Sequence, residues 1–173
     1  MSKLDKKFLL FKLASQKVSA YIDFLKTNGI NPEKIKTPAD FKILPIMDKG
    51  NYLYKYPLES LFINGHLPPM AYASSGSSGK PTFCFRGDEQ EEIGGRIHET
   101  IFRKIFGVKK DEPTLVIICF SMGVWIAGNY TLASCRHLHR QGYKVSTISP
   151  GMEKEDIFNS LTRLAPQFRN VII

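Results

Sequence analysis

The chain is poor in cysteine: Cys84, Cys119 and Cys135 are the three among 173 residues. An odd count with no metal-type spacing argues against a disulfide framework and against a zinc site, and the expectation is reduced thiols in a cytoplasmic protein with no metal held by side chains. No apolar run is long enough to span a bilayer, so a membrane is not an expected partner. The N-terminus, MSKLDKKFLLFKLASQK, is basic and then apolar, but Lys12 interrupts the apolar part and Gln16 and Lys17 follow it. That pattern suits an amphipathic helix better than a signal peptide. Arginine is absent from the first 60 positions, where 11 lysines stand against six acids. Those lysines alternate with apolar residues at helical spacing, which reads as a solvated helix face. Without an arginine cluster or aromatic residues interleaved with basic ones, a nucleic-acid groove is not expected, despite the formal net charge of +8. Hydrophobic residues make up 43% and charged residues 23%, ordinary for a globular chain of this length with a real core.

Against that background one stretch stands out. Ser74-Ser75-Gly76-Ser77-Ser78-Gly79-Lys80-Pro81-Thr82 contains nothing that can fill a core. Its glycines allow close approach to the main chain, its hydroxyls are donors, and Lys80 adds a mobile cation. Such a run is either a flexible linker or a loop that wraps an anion such as phosphate. It lies between Met70-Ala71-Tyr72-Ala73 and the strand-like Thr82-Phe83-Cys84-Phe85, inside one apolar neighbourhood, which favours the loop. A Walker A loop does not fit. Ser74 stands where its first glycine should be, Pro81 replaces the Mg²⁺-binding hydroxyl, and a strand follows instead of a helix.

The chain divides into a helical segment, 1–60, and an α/β segment, 61–173. Phe8, Phe11, Val18, Tyr21, Ile22 and Leu25 predict one amphipathic helix over Leu4–Asn28, stopped by Gly29. Thr37-Pro38-Ala39-Asp40 and Asp48 are helix starts, with Phe41 and Leu44 as a buried face. After a strand over 82–86, Asp88 should cap a helix running to about Phe106, whose Gly94-Gly95 pair implies close packing on a neighbour. TLVIICF, 114–120, is a strand buried on both faces. Helices over 127–141 and 153–164 and strands over 144–148 and 170–173 follow. This is an α/β fold: N-terminal helices, then an incomplete, mainly parallel sheet with right-handed crossover helices. Ligands of such sheets bind at the carboxyl ends of strands, where Ser121–Trp125 falls. His137 and His139, two apart on a helix, read as surface or capping residues, and His66 and His98 have no evident partner. The last residues, Val171-Ile172-Ile173, lie within an apolar strand, so the chain is expected to be the N-terminal part of a longer protein.

The run 74–82 resembles the Ser/Thr/Gly-rich phosphate loop of adenylate-forming enzymes, the superfamily of acyl-coenzyme A synthetases, luciferases and peptide-synthetase adenylation domains. Its Lys-Pro-Thr ending resembles the phenylacetate–coenzyme A ligase branch. The lead-in LPIMDKGNYLYKYP and the order of elements from Gly107 to Gly151 are similar to that branch as well. The resemblance implies an ATP-dependent, AMP-forming ligase of a small carboxylic acid, with ATP, Mg²⁺ and coenzyme A serving the full-length enzyme. It implies that Ser74, Ser75, Gly76, Ser77, Ser78, Gly79, Lys80 and Thr82 hold the β- and γ-phosphates. Thr82 stands where many members have a lysine, which makes Lys80 the candidate catalytic cation. Phe120, Met122 and Trp125 match the turn bordering the acyl pocket, although Trp125 could equally be a core tryptophan. Segments that contact adenine, ribose and Mg²⁺, and the C-terminal domain, lie beyond residue 173 in relatives, so the chain alone is expected not to turn over. The alternative is a standalone, non-catalytic α/β domain that binds a phosphate-bearing ligand, its open sheet covered in a homodimer.

Overall fold

The computed structural model describes residues 3–74 and 81–173, which form two compact units, Met1–Leu67 and Pro68–Ile173.

In the first unit the expected single helix is two: α1, Lys3–Lys17, and α2, Ser19–Thr27. Val18 separates them in an extended conformation, φ −111° and ψ 105°. Burial explains the break. Phe11, Leu25 and Ile35 share one apolar cluster, whereas in a straight helix Phe11 and Leu25 would stand about 21 Å apart. A β-branched residue tolerates the extended link well. Gly29 ends α2 as expected, at φ +70°, with Ile30 N–H donating to the Leu25 carbonyl and Gly29 N–H to that of Lys26. The expected starts at Thr37 and Asp48 are present but open only short turns. The Asp40 carboxylate accepts from Thr37 N–H at 2.7 Å and Lys36 N–H at 2.9 Å, ahead of the 3₁₀ turn Pro38–Ile43. Asp48 and Asn51 cap each other reciprocally, backbone to side chain, at 2.7 and 2.9 Å. Phe41 and Leu44 pack against the Phe11 cluster.

The second unit begins with an antiparallel hairpin of β1, Met70–Ser74, and β2, Thr82–Arg86, in register from Met70 opposite Arg86 to Ser74 opposite Thr82. Helix α3, Asp88–Lys104, follows. It is capped one residue earlier than expected, by Gln90 Oε1 accepting from Gly87 N–H at 2.9 Å. Next come β3, Thr114–Ile117; α4, Ile126–Arg140; β4, Val145–Ile148; α5, Lys154–Asn159; and β5, Asn170–Ile172. The expected helix over 153–164 changes character at Ser160, where a wider π-type turn runs to Leu164 and a 3₁₀ turn, Ala165–Gln167, carries Pro166.

Strands β4, β3 and β5 form a parallel sheet in that spatial order. The central strand is buried throughout, as its unbroken apolar run predicts. Its side chains alternate between two cores. Val116 and Ile118 meet Phe102 of α3 and Cys135 and Leu138 of α4 on one face. Leu115 and Ile117 meet Leu161, Leu164 and Ala165 on the other. Helices therefore cover both faces. The chain passes from β3 to β4 on one side and then crosses to β5 on the other, so the order reverses at β3. Sheets of this kind open a crevice at the carboxyl end of such a switch.

Candidate functional site

The hairpin and the end of β3 meet at that crevice. At the tip of the hairpin, Ser74 Oγ donates to the Thr82 carbonyl at 3.3 Å, and Thr82 is buried. The two ends of the glycine–serine run are thereby held side by side. Ala73 N–H donates to the Val124 carbonyl at 2.7 Å, in a parallel bridge that sets Ala73 beside Trp125. The hairpin tip is thus hydrogen-bonded to the turn that follows β3.

That turn has its own local reasons. Gly123 adopts φ +73°, which favours glycine. At Gly128, in the first turn of α4, a Cβ would come within 2.7 Å of the Ser121 carbonyl oxygen, so only glycine lets the helix start this close. Asn129 Nδ2 donates to the carbonyls of Gly123 and Trp125, the latter at 2.9 Å. On the far side, Ser121 Oγ donates to Met152 Sδ at 2.9 Å, and Gly151 N–H to the Ile118 carbonyl at 3.2 Å, tying the ends of β3 and β4 together.

Between these elements lies a cavity of about 440 Å³, lined by Ala73, Ser74, Phe120, Ser121, Trp125, Ile126 and Ala127. It contains one end of the glycine–serine run and two of the three residues expected at an acyl pocket. Phe120 is 54% and Trp125 37% exposed, so neither is a core residue. Met122 is not in the lining. It packs against the Phe102–Leu138 core and abuts Gly128. Ser75, Gly76, Ser77, Ser78, Gly79 and Lys80 lie outside the described residues. Among the described residues no group of three or more histidines, cysteines or acids is placed to hold a metal ion, and no helix is long and apolar enough to cross a membrane.

A larger concavity, about 650 Å³, opens between β1, α3 and α4, with Tyr72, Glu91, Glu92, Arg136 and His137 in its wall. Beside it Arg86 pairs with Glu91 at 2.7 Å and lies over the Tyr130 ring, 4.5 Å from its centroid. Burial, reinforced by the Glu91 charge, pushes the Tyr72 phenol up, and Arg86 opposes this. His137 corrects the surface reading. It is 5% exposed, with Nδ1 3.4 Å from Glu92 and Nε2 3.7 Å from Glu99. His98 also has partners: Nδ1 lies 3.0 Å from the Gly94 carbonyl, and its ring meets Tyr130 edge-on. Asn129, Gly128 and Ala73 escaped the sequence reading, because their roles depend on main-chain carbonyls that only folding brings within reach.

This α/β arrangement is shared with part of longer chains of known structure. Among the solved structures that share it are those of 2-hydroxyisobutyryl-CoA ligase. Its complex with 2-HIB-AMP and CoA in the thioesterification state matches over 91% of this chain and 33% of that one, with TM-score 0.63 and 16% identity. Its open conformation with 2-HIB-AMP and CoA matches over 86% and 35%, with TM-score 0.60 and 17% identity. The chain therefore spans about a third of the length of the solved structures it matches. No family model matches the sequence, and no curated protein does.

Proposed function

We propose that this chain is the phosphate- and acyl-binding part of an ATP-dependent, AMP-forming ligase of a small carboxylic acid, of the acyl- or aryl-CoA type and in the phenylacetate–coenzyme A ligase branch. The observation that carries this reading is the shared cavity. Ser74 at the stem of the glycine–serine run and Phe120 and Trp125 after β3, more than 40 residues away in sequence, line one space.

In the proposed reaction a carboxylate oxygen attacks the α-phosphorus of ATP. The bond to the bridging oxygen breaks, and pyrophosphate leaves with the electron pair. The thiol of coenzyme A then displaces AMP from the acyl carbon. The work of this chain's residues is to hold the leaving group and orient the acid. Amides and hydroxyls of 74–79 and the Lys80 ammonium would neutralise charge gained by the departing pyrophosphate. Phe120 and Trp125 would wall the acyl group and exclude water beside it. Met122 would act from behind, as packing under the turn. Mg²⁺, when bound with ATP, would supply positive charge to the phosphates, and no group of three or more histidines, cysteines or acids among the described residues is placed to hold it. The chain by itself would not turn over.

Calorimetry of pyrophosphate and of ATP, each with Mg²⁺, tests this on the chain and on Lys80→Ala. Binding that is lost in Lys80→Ala is the expected result. Equal binding by both proteins, or binding by neither, would count against a working phosphate loop.

A further inference from the structure

We propose that Asn129 is a positioning residue for this site: its carboxamide sets the Trp125 wall against the stem of the phosphate loop. This rests on the proposed reading of the loop, but its geometry stands independently. Both protons of one amide nitrogen are committed, one to the Gly123 carbonyl and one to that of Trp125. Between those two residues lies Val124, whose carbonyl accepts from Ala73 N–H at 2.7 Å. Three consecutive carbonyls, those of 123, 124 and 125, are therefore spoken for, two by Asn129 and one by β1. The side chain of Val124 is 60% exposed, so its main chain alone makes the link.

The chain of bonds runs from α4 through the turn to Ala73, then to Ser74 and across to Thr82. It is short, and it joins the two halves of the cavity. A shift of the loop stem on anion binding would be felt at Trp125, and a ligand against Trp125 would be felt at the stem. Asn129 keeps the two in step by holding the turn in one geometry. Aspartate is nearly isosteric but has no N–H to donate, and it would face two carbonyl oxygens with negative charge. Alanine would leave both carbonyls without this donor.

The molecule supplies its own probe, since Trp125 is the single tryptophan of the chain. The experiment compares the full chain with Asn129→Ala, Asn129→Asp and, as a control, Val124→Ala, which keeps every main-chain bond. Acrylamide quenching and emission maximum are read first without ligand, then during pyrophosphate titration, with calorimetry alongside and circular dichroism to confirm folding. Without ligand, the quenching constant is expected to rise by about twofold in both Asn129 variants, as the turn loses its donor, and to stay unchanged in Val124→Ala. With pyrophosphate, the Asn129 variants are expected to keep a Kd within about threefold of the parent while losing the emission response of Trp125. Unaltered quenching in both folded Asn129 variants overturns the proposal, whatever the loop binds. If pyrophosphate does not bind the parent chain, the phosphate-loop reading fails, and the ligand-free quenching still decides whether Asn129 holds the turn. Should Asn129→Ala not fold, Asn129→Asp carries the same comparison.

Discussion

The His137 ring occupies the space that a side chain at Gly95 would need, as Tyr130 does at Gly94. Helices α3 and α4 approach so closely because α3 carries two adjacent glycines in its buried stripe. Each glycine costs about 1 kcal/mol of helix propensity against alanine, which the close packing offsets.

Gly95→Ala is expected to destabilise the chain by about 1–3 kcal/mol in spite of its better propensity. Gly94→Ala should cost less, because its neighbour is the far end of Tyr130, whereas Gly95 faces atoms next to the His137 backbone. Pairing Gly95→Ala with His137→Ala should cost clearly less than the two single losses together, since removing the imidazole makes room. Denaturant titrations of the four variants check the ranking and the coupling, and strict additivity would mean that the two positions do not share the space.

Arg86 joins the end of β2 to the first turns of α3. It pairs with Glu91, donates to the Gln90 carbonyl at 2.9 Å and stacks on Tyr130. Arg86→Ala is expected to cost about 1–3 kcal/mol, much of it from the partly buried Glu91 carboxylate left unpaired. Arg86→Lys should recover less than half of this, because a lysine ammonium neither forks nor stacks like a guanidinium. Thermal unfolding of both variants is the measurement. Full recovery with lysine would reduce the role of Arg86 to charge alone.

Trp125 and Phe120 line a cavity and are partly exposed, so their loss should affect ligands more than folding. Trp125→Ala is expected to lower stability by less than about 1 kcal/mol. Leu115→Ala, in the fully buried strand β3, should cost about 2–5 kcal/mol. A Trp125→Ala loss as large as that of Leu115→Ala would make the tryptophan a core residue after all.

Two carboxylates are held below their ordinary range. Hydrogen bonds from the backbone of Lys36 and Thr37 lower Asp40. The Asn170 amide lowers Glu112 most, burial opposes it, and Lys109 and Arg169 each add a smaller lowering effect. A depressed folded pKa contributes stability that is fully present above the unfolded value, near 4, and lost as pH falls through the folded one. Melting temperatures are therefore expected to hold steady from neutrality to about pH 5 and then decline. Glu112→Gln should melt below the parent at pH 7, with the gap closing on acidification below about pH 4. A gap independent of pH would rule out ionisation as the source.

Local features were legible wherever a residue acts on its immediate neighbours. Gly29 and Asp48 mark termini because their conformations and side chains act within a turn. The run at 115–118 declares a doubly covered strand because every residue in it is apolar. Other features were settled by distant partners. Val18 interrupts a pattern that reads as one helix, because Phe11 and Leu25 must reach the same cluster. His137 looks like a surface residue by spacing, yet it fills the space beside Gly95 on another helix.

The same division holds for the site. Composition and order determined an α/β chain with an aromatic turn after its central strand. That Ser74 and the turn after β3 line one cavity, with Ala73 N–H bonded to the Val124 carbonyl, was decided by the fold, and main-chain carbonyls carry no letter in the sequence. Only the fold, by reversing strand order at β3, brings them to the same end of the sheet.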